Sequence, residues 1–315
     1  MAIEPLRVVA ASEVRADAER WGWLVESLWS REGVGVIGGA PKCCKTWLGL
    51  ELAVSVASGA PCLGRFAVPE PGPVLFYGAE DPPAHLRDRI RCIAASRGLD
   101  FATLDLGLIL SNALRLDTER DLDRLTATIE RHAPRFLVLD PLVRLHRIDE
   151  NSAGEMSSLL GELRTLQRRY GLAIVLVHHL RKNGGQGGQA LRGSGDLHAW
   201  GDSNLFLRRR ESRIHLSVEH RAAPAPDPFL LELATEPEPH LRVVDLEKDP
   251  EPEANADLDQ KILEALAQAP RPMQREALRQ MLRARNATLG DALARLCAER
   301  RIERAHGGFT LPQHP

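Results

Sequence analysis

The stretch Gly33–Leu50 reads GVGVIGGAPKCCKTWLGL, and it decides the expected fold. It begins as a short apolar strand and continues as a helix, in which apolar residues recur at helical spacing from Trp47 to Val56. Between strand and helix, residues 39–46 match the pattern G-x-x-x-x-G-K-[ST] of phosphate-binding loops, except that Cys44 replaces the second glycine. The pattern predicts a strand, a phosphate-binding loop and a helix whose N-terminus faces the phosphates.

The residue types of the loop indicate ATP and Mg²⁺ as cofactors. In such loops the lysine reaches the β- and γ-phosphates and the hydroxyl coordinates Mg²⁺, which assigns these roles to Lys45 and Thr46. The expected nucleotide-binding residues are Gly39, Ala40, Pro41, Lys42, Cys43, Cys44, Lys45, Thr46 and Trp47. An ordinary strand–helix turn would give a similar pattern, so the interpretation depends on the strands that follow.

Three later apolar runs predict the strands that complete the site. Residues 73–80 end in Glu80, residues 135–140 end in Asp140, and residues 173–177 lead into His178 and His179. Helical patterns at 82–97, 118–132 and 155–169 separate these runs, which predicts an α/β fold: a P-loop core with a mostly parallel twisted sheet and helices on both faces. Ligands of such sheets bind at the carboxyl ends of the strands. Four side chains should meet there: Thr46, Glu80, Asp140 and His178.

Two of these side chains have competing interpretations. Asp140 after a buried strand is expected to hold Mg²⁺, although a carboxylate in this position can also be a turn or capping residue. The pair His178–His179 is not expected to bind a metal ion, because adjacent residues on a strand point to opposite faces.

The order of these motifs resembles a known family. The loop, VLFYGAEDPP at 74–83, FLVLDPLVRLH at 136–146, IVLVHHLRK at 174–182 and LRGSGDL at 191–197 are similar to the RecA-like ATPases of RepA-type plasmid replication proteins, hexameric helicases related to DnaB. The resemblance covers residues 20–235. It implies that Glu80 is the general base, that Arg89 contacts the active site or a neighbouring subunit, and that His178 senses the γ-phosphate. It also implies a homo-oligomer, a hexamer, with DNA as its partner.

The chain departs from this family in its trans-acting arginine. Asp202 falls near the position where RepA-type relatives carry it, whereas DnaB-type relatives carry a basic pair after a later strand. Here that strand is 213–218, so Arg221 matches the arginine and Glu219 replaces the lysine. Arg192 is the rival candidate, and each arginine could also be a solvated strand end. The glycine- and glutamine-rich segment 181–191 is either a surface loop or a DNA-contacting loop that acts through Lys182.

The C-terminal part is expected to be a separate domain. Seven acids, one lysine and two prolines between Asp245 and Asp259 indicate a solvated linker at 245–255, which separates an ATPase domain at 1–244 from a winged helix-turn-helix at 256–315. Helices are expected near 258–266 and at 274–283, a third opens at a capping box at Thr288–Asp291, and residues 302–311 predict a hairpin wing.

Charge suggests what this C-terminal domain binds. Residues 271–306 hold nine arginines and four acids, a balance of +5. We expect DNA contacts from Arg285, Arg295 and Arg304, with protein binding by the winged helix as the alternative.

Composition limits the location of the chain. No apolar run is long enough to cross a membrane, the N-terminus lacks the pattern of a signal peptide, and five cysteines without metal-ligand spacing suggest a reducing cytoplasm. Cys44 at a helix N-terminus beside Lys45 is predicted to have a lowered pKa, unless it is only a small substitute for glycine. Two functions remain: an ATP-driven helicase or translocase, and a nucleotide-switched DNA-binding regulator.

Overall fold

The structure, a computed structural model, divides the chain into two units, Met1–Val244 and Asp245–Pro315. It describes residues 8–13, 22–111, 113–150, 152–179, 195–210, 213–245, 254–269, 271–282, 286–299, 301–305 and 307–312. Among them, no helix combines the length and the apolar character needed to cross a membrane.

The first unit is built on one large sheet. A small antiparallel hairpin precedes it, formed by β1 (Trp23–Val25) and β2 (Trp29–Ser30). The strands of the large sheet are β3 (Val34–Gly39), β4 (Val74–Gly78), β5 (Leu106–Leu108), β6 (Phe136–Asp140), β7 (Ala173–His179), β8 (Ser203–Arg210), β9 (Arg213–His220), β10 (Phe229–Ala234) and β11 (His240–Val243). Their order across the sheet is β11-β10-β9-β8-β3-β7-β6-β4-β5.

Strand direction divides the sheet into two parts. The six strands from β8 to β5 are parallel, whereas β9, β10 and β11 extend the sheet in antiparallel fashion. The central strands β3 and β6 are buried along their whole length, which is why they read as continuous apolar runs.

Helices cover both faces of the sheet. They are α1 (Lys45–Ser58), α2 (Pro83–Ser96), α3 (Glu119–His132), α4 (Ala153–Tyr170) and α5 (Gly195–Trp200), with 3₁₀ turns at Ala11–Glu13, Phe101–Thr103 and Leu142–Arg144. Along β7, Val175 and Val177 pack into the core that contains α1 and α2. The alternating Ile174 and Leu176 pack into the core that contains α3, α4 and α5. This confirms the predicted mostly parallel sheet with helices on both faces.

The second unit contains three helices and a two-stranded hairpin among its described residues. They are α6 (Ala254–Gln268), α7 (Arg275–Leu282), α8 (Asn286–Ala298), β12 (Glu303–Ala305) and β13 (Gly308–Thr310), around a core of its own that includes Ile262, Leu278 and Leu293. The capping box predicted at Thr288 is wrong, because Thr288 lies inside the first turn of α8. Gly308 has φ 149°, and a Cβ there would lie 2.1 Å from the carbonyl oxygen of Met273, so the hairpin requires glycine at this position.

Candidate active site

A cleft lies at the carboxyl edge of the parallel strands. Its volume is about 330 Å³, and it lies between the loop after β3 and the ends of β4, β6 and β7. The residues that line it are Lys42, Cys43, Cys44, Lys45, Thr46, Trp47, Glu80, Asp81, Arg89, Asp140, Pro141 and His179. Parallel strands bring these ends together because they all point the same way.

Lys45 is folded back over the loop. Its ammonium donates a hydrogen bond to the carbonyl oxygen of Ala40 at 2.9 Å and lies 3.2 Å from Nδ1 of His179. The side chain is buried, and this burial lowers the pKa of Lys45, although Asp140 and Glu80 partly oppose the shift. The lysine therefore stands inside the loop, where a phosphate group would replace a backbone carbonyl as its partner.

The loop contains two left-handed residues that are not glycine. Lys42 has φ 65°, and Cys44, the N-cap of α1, has φ 61° and ψ 29°. The left-handed conformation explains why the motif usually carries glycine at the second of these positions. The prediction of a lowered Cys44 pKa is wrong: burial raises the pKa of this thiol, and the nearby Arg209 guanidinium only partly opposes the effect.

Thr46 and Asp140 form a pair of oxygen donors. The Asp140 side chain is 6% exposed, and burial, reinforced by the charges of Asp81 and Glu80, raises its pKa to about 6, although the Thr46 hydroxyl donates a hydrogen bond to it. A hydroxyl and a carboxylate beside a phosphate loop suit Mg²⁺, which prefers one or two protein oxygens together with phosphates and waters. Within the described residues, no group of three or more His, Cys, Asp or Glu side chains could hold a metal ion.

Glu80 and Arg89 are charged residues of the cleft that come from outside the phosphate loop. The Glu80 carboxylate is 46% exposed and accepts a hydrogen bond from Nε of Arg144 at 2.8 Å. Arg89 binds Asp81 through two hydrogen bonds of 2.7 and 3.3 Å, and its guanidinium lies 5.6 Å from the ring centroid of Trp47. Each of the two cleft residues therefore already has an oppositely charged partner.

The structure places the two histidines differently. His178 is 1% exposed and does not line the cleft, whereas its neighbour His179 does. The reason is the alternation of β7, which directs His179 to the side of α1 and the loop. A short apolar strand does not reveal in its sequence which face turns toward the loop.

Arg221 lies at the end of the sheet's strands that is opposite the cleft. It follows β9, which is antiparallel to β8, and its guanidinium lies 3.6 Å from Asp202 and donates to the carbonyl oxygen of Ala199. With Asp202 it borders a second cavity of about 470 Å³. Arg221 is therefore remote from the cleft of its own chain. The other predicted candidates, Arg192 and Lys182, lie outside the described residues.

The arginines of the C-terminal unit differ in their surroundings. Arg295 makes two hydrogen bonds to buried Asp259, at 3.0 and 2.8 Å, and so joins α8 to α6; this pairing competes with the DNA contact predicted for it. Arg304 is exposed, with its guanidinium 5.6 Å from the ring centroid of Phe309. Arg285 lies outside the described residues.

Sequence reasoning missed two arginines that contact the site. Arg144, in the 3₁₀ turn after β6, binds Glu80. Arg209, at the end of β8, contacts the carbonyl oxygen of Lys42 and the sulfur of Cys44. No spacing in the chain marks either residue, because each reaches the cleft through the sheet topology.

Comparisons with known proteins identify one matching family and a similar known structure. Residues 2–185 match the AAA domain family. The crystal structure of the RadB recombinase is similar, with a TM-score of 0.50 at 16% identity over 68% of this chain and 92% of that chain. Because 416 chains of known structure match and this identity is low, the likeness shows the RecA-like fold and not an activity.

Proposed function

The chain belongs to the AAA domain family, and from this premise we propose that it is an ATP-hydrolysing motor that acts on DNA. The observation that carries the proposal is the convergence of Lys45, Thr46, Asp140 and Glu80 in one cleft at the carboxyl edge of the sheet. Phosphate contacts, a pair of oxygen donors for Mg²⁺ and a carboxylate able to act on water are what phosphoryl transfer requires. The free cysteines among the described residues support a cytoplasmic location.

Five side chains of the cleft have separate roles in this proposal. The loop N–H groups and Lys45 would bind the phosphates, and Thr46 and Asp140 would hold Mg²⁺, which would supply positive charge beside the β- and γ-phosphates. Glu80 accepts a proton from the attacking water, which requires that it exchange Arg144 for that water. His179, beside Lys45, replaces His178 as the residue that responds to the γ-phosphate.

We place the catalytic site between subunits of a ring. Arg89 is held by Asp81 inside the cleft, whereas Arg221 stands at the far edge of the same sheet. An arginine so placed reaches an ATP site only when it belongs to a neighbouring subunit. This supports a homo-oligomer, a hexamer in our proposal, with Arg221 as the trans-acting residue and Arg192 as the alternative.

DNA binding is assigned to two parts of the chain. The three helices and hairpin of the C-terminal unit have the element order of a winged helix, and exposed Arg304 with Arg285 would contact phosphates. Lys182, in the segment after β7, is the expected contact of the ATPase unit. Together with the cleft these features favour a helicase or translocase of the RepA type, related to DnaB.

One observation favours a second function, a nucleotide-switched regulator that binds DNA. The Glu80 carboxylate is paired with Arg144, and a base held in this way does not activate water. If the pairing persists when DNA and ATP are bound, the protein would bind nucleotide and change state without repeated hydrolysis.

The steady-state ATPase rate, with and without single-stranded and duplex DNA, tests the proposal. We expect DNA-stimulated turnover that Lys45→Ala abolishes together with nucleotide binding. Glu80→Gln should retain binding and lose about 10²–10⁴-fold in rate. ATP binding without turnover under every condition would support the regulator instead, and no ATP binding by the wild-type chain would refute both functions.

A further inference from the structure

Strand β8 brings an arginine against the outer side of the phosphate loop. β8 is parallel to β3, and Leu207 pairs with Gly39, the first residue of the loop motif. Leu207 packs in the same core as α1. Because side chains alternate along a strand, Arg209 lies on this face two residues further on, whereas Arg208 points to the opposite face.

Arg209 contacts the two residues of the loop that have positive φ. Its Nε donates to the carbonyl oxygen of Lys42 at 3.2 Å, and one Nη donates to the sulfur of Cys44 at 3.3 Å. These two residues have φ 65° and 61°. The guanidinium therefore connects the two left-handed residues of the loop. Arg209 is not itself among the residues that line the cleft.

Residues in the left-handed conformation at alternate positions shape such a loop for anion binding. They direct successive backbone N–H groups toward one point and so form a concave anion site. Glycine adopts this conformation at no cost, but residues with a Cβ do not. Lys42 and Cys44 must therefore be held in it by contacts, and Arg209 supplies two of them.

We propose that Arg209 is a positioning residue of the phosphate loop, which holds Lys42 and Cys44 in the conformation that glycine adopts unaided. The proposal rests on the proposed function, because it takes the loop to bind the phosphates of ATP. Arg209 acts through the backbone and not on the reacting atoms. Its loss therefore changes nucleotide affinity and leaves the chemical step nearly intact.

The first test compares two neighbouring arginines on opposite faces of β8. Arg209→Ala should weaken binding of ATP and of ADP, measured by calorimetry, and raise KM about threefold to tenfold with kcat changed less than about twofold. The nucleotide affinity of Arg209→Lys should lie between those of the wild type and Arg209→Ala, since an ammonium does not reproduce the fork of a guanidinium. Arg208→Ala is the matched control and should equal the wild type. Equal effects of the two alanine variants, or a loss in kcat alone, would overturn the proposal.

A double-mutant cycle isolates the link between Arg209 and the left-handed turn. In a Cys44→Gly background the turn costs little, and the Sγ contact is already absent. In that background, the loss of ATP-binding free energy caused by Arg209→Ala should be less than half of the loss that it causes in the wild type. An undiminished effect would show that Arg209 acts on nucleotide by another route.

A measurement without nucleotide separates this inference from the proposed function. The chain has only five lysines, so an endoproteinase that cuts after lysine reports on few sites, among them exposed Lys42. Arg209→Ala should speed cleavage after Lys42 several-fold, as read by mass spectrometry, and Arg208→Ala should not. Unchanged cleavage would refute the inference even if ATP binds. Failure of the wild type to bind ATP would instead refute the proposed function.

Discussion

At the scale of single residues, Cys44 stores strain at the start of α1. A residue with a Cβ costs about 1 kcal/mol or more in the left-handed conformation, and Cys44 is the N-cap with φ 61°. We expect Cys44→Gly to raise the free energy of unfolding by up to about 1 kcal/mol, because glycine relieves the strain but gains freedom in the unfolded chain.

Urea denaturation of the nucleotide-free protein measures this change. Cys43→Gly is the matched control, since Cys43 is buried and its side chain packs in the core, so that variant should lose stability. If Cys44→Gly lost as much as Cys43→Gly, the strain would be absent.

Burial of the Asp140 carboxylate in the candidate site lowers the stability of the folded protein. Burial raises its pKa to about 6, above the unfolded value near 3.9. Between these pH values the native state binds more protons than the unfolded state, so stability falls as pH rises, and the full cost is present above pH 6. Asp140→Asn should therefore stabilise the nucleotide-free protein at pH 7 by about 3 kcal/mol.

The gain from Asp140→Asn should have nearly disappeared by about pH 3, where the aspartate is almost fully protonated in both states. The variant should also lose the extra thermal stability that Mg²⁺ and ATP together give the wild type. A gain of equal size at both pH values would contradict the assigned titration.

At the scale of elements, a buried ion pair ties the phosphate-loop helix to its neighbours. Glu51 of α1 is fully buried, pairs with Arg97 at the end of α2, and accepts a hydrogen bond from the backbone N–H of Leu241 in β11 at 2.8 Å. Burial lowers the pKa of Arg97 to about 10. Glu51→Ala should cost about 3–5 kcal/mol, because it leaves the buried guanidinium without a counter-charge.

An exposed pair provides the control for this prediction. Arg169 binds Glu130 at 3.3 Å with both side chains at least half exposed, so Arg169→Ala should cost less than about 1 kcal/mol. Both changes are measured in the unfolding transition of the first unit. Similar losses for the two variants would mean that the Glu51 pair is not effectively buried.

Elements also show what a sequence can predict in this chain. The parallel strands and crossover helices were predictable, because a doubly covered sheet requires apolar runs such as 136–139 between helical patterns. The face of each strand is not predictable, so the sequence points to His178 although His179 lines the cleft. The sequence likewise presents Arg295 as a DNA contact, since nothing in it connects this residue with Asp259, 36 residues away. Contacts made by long side chains between distant elements depend on the tertiary packing.

At the scale of the whole molecule, the position of Arg221 predicts complementation between subunits. Arg221 stands at the edge of the sheet opposite its own cleft, so a trans-acting role requires a neighbour. Arg221→Ala subunits have an intact cleft, and Lys45→Ala subunits have an intact Arg221. A mixture of the two should therefore recover ATPase activity that neither variant has alone, since such an arginine contributes about 10³-fold or more in rate.

Mixing Lys45→Ala with Glu80→Gln is the control for complementation. Both side chains belong to the same cleft, so no intact site forms and no activity should return. Recovery in this control, or none with Arg221→Ala, would place the trans-acting residue elsewhere; recovery with Arg192→Ala would then assign it to Arg192.

The C-terminal unit gives the last prediction, because two of its arginines should behave in opposite ways. Arg304 is exposed on the hairpin beside Phe309. Arg304→Ala in the full chain should therefore weaken duplex binding and reduce the slope of log affinity against log salt concentration by about 1. The melting temperature should not change. Arg295 is bound to buried Asp259, so Arg295→Ala should lower the melting temperature of this unit and leave the salt slope of the folded fraction unchanged. Unaltered duplex affinity in Arg304→Ala would mean that the hairpin does not contact DNA, and the unit would then be assigned to protein binding.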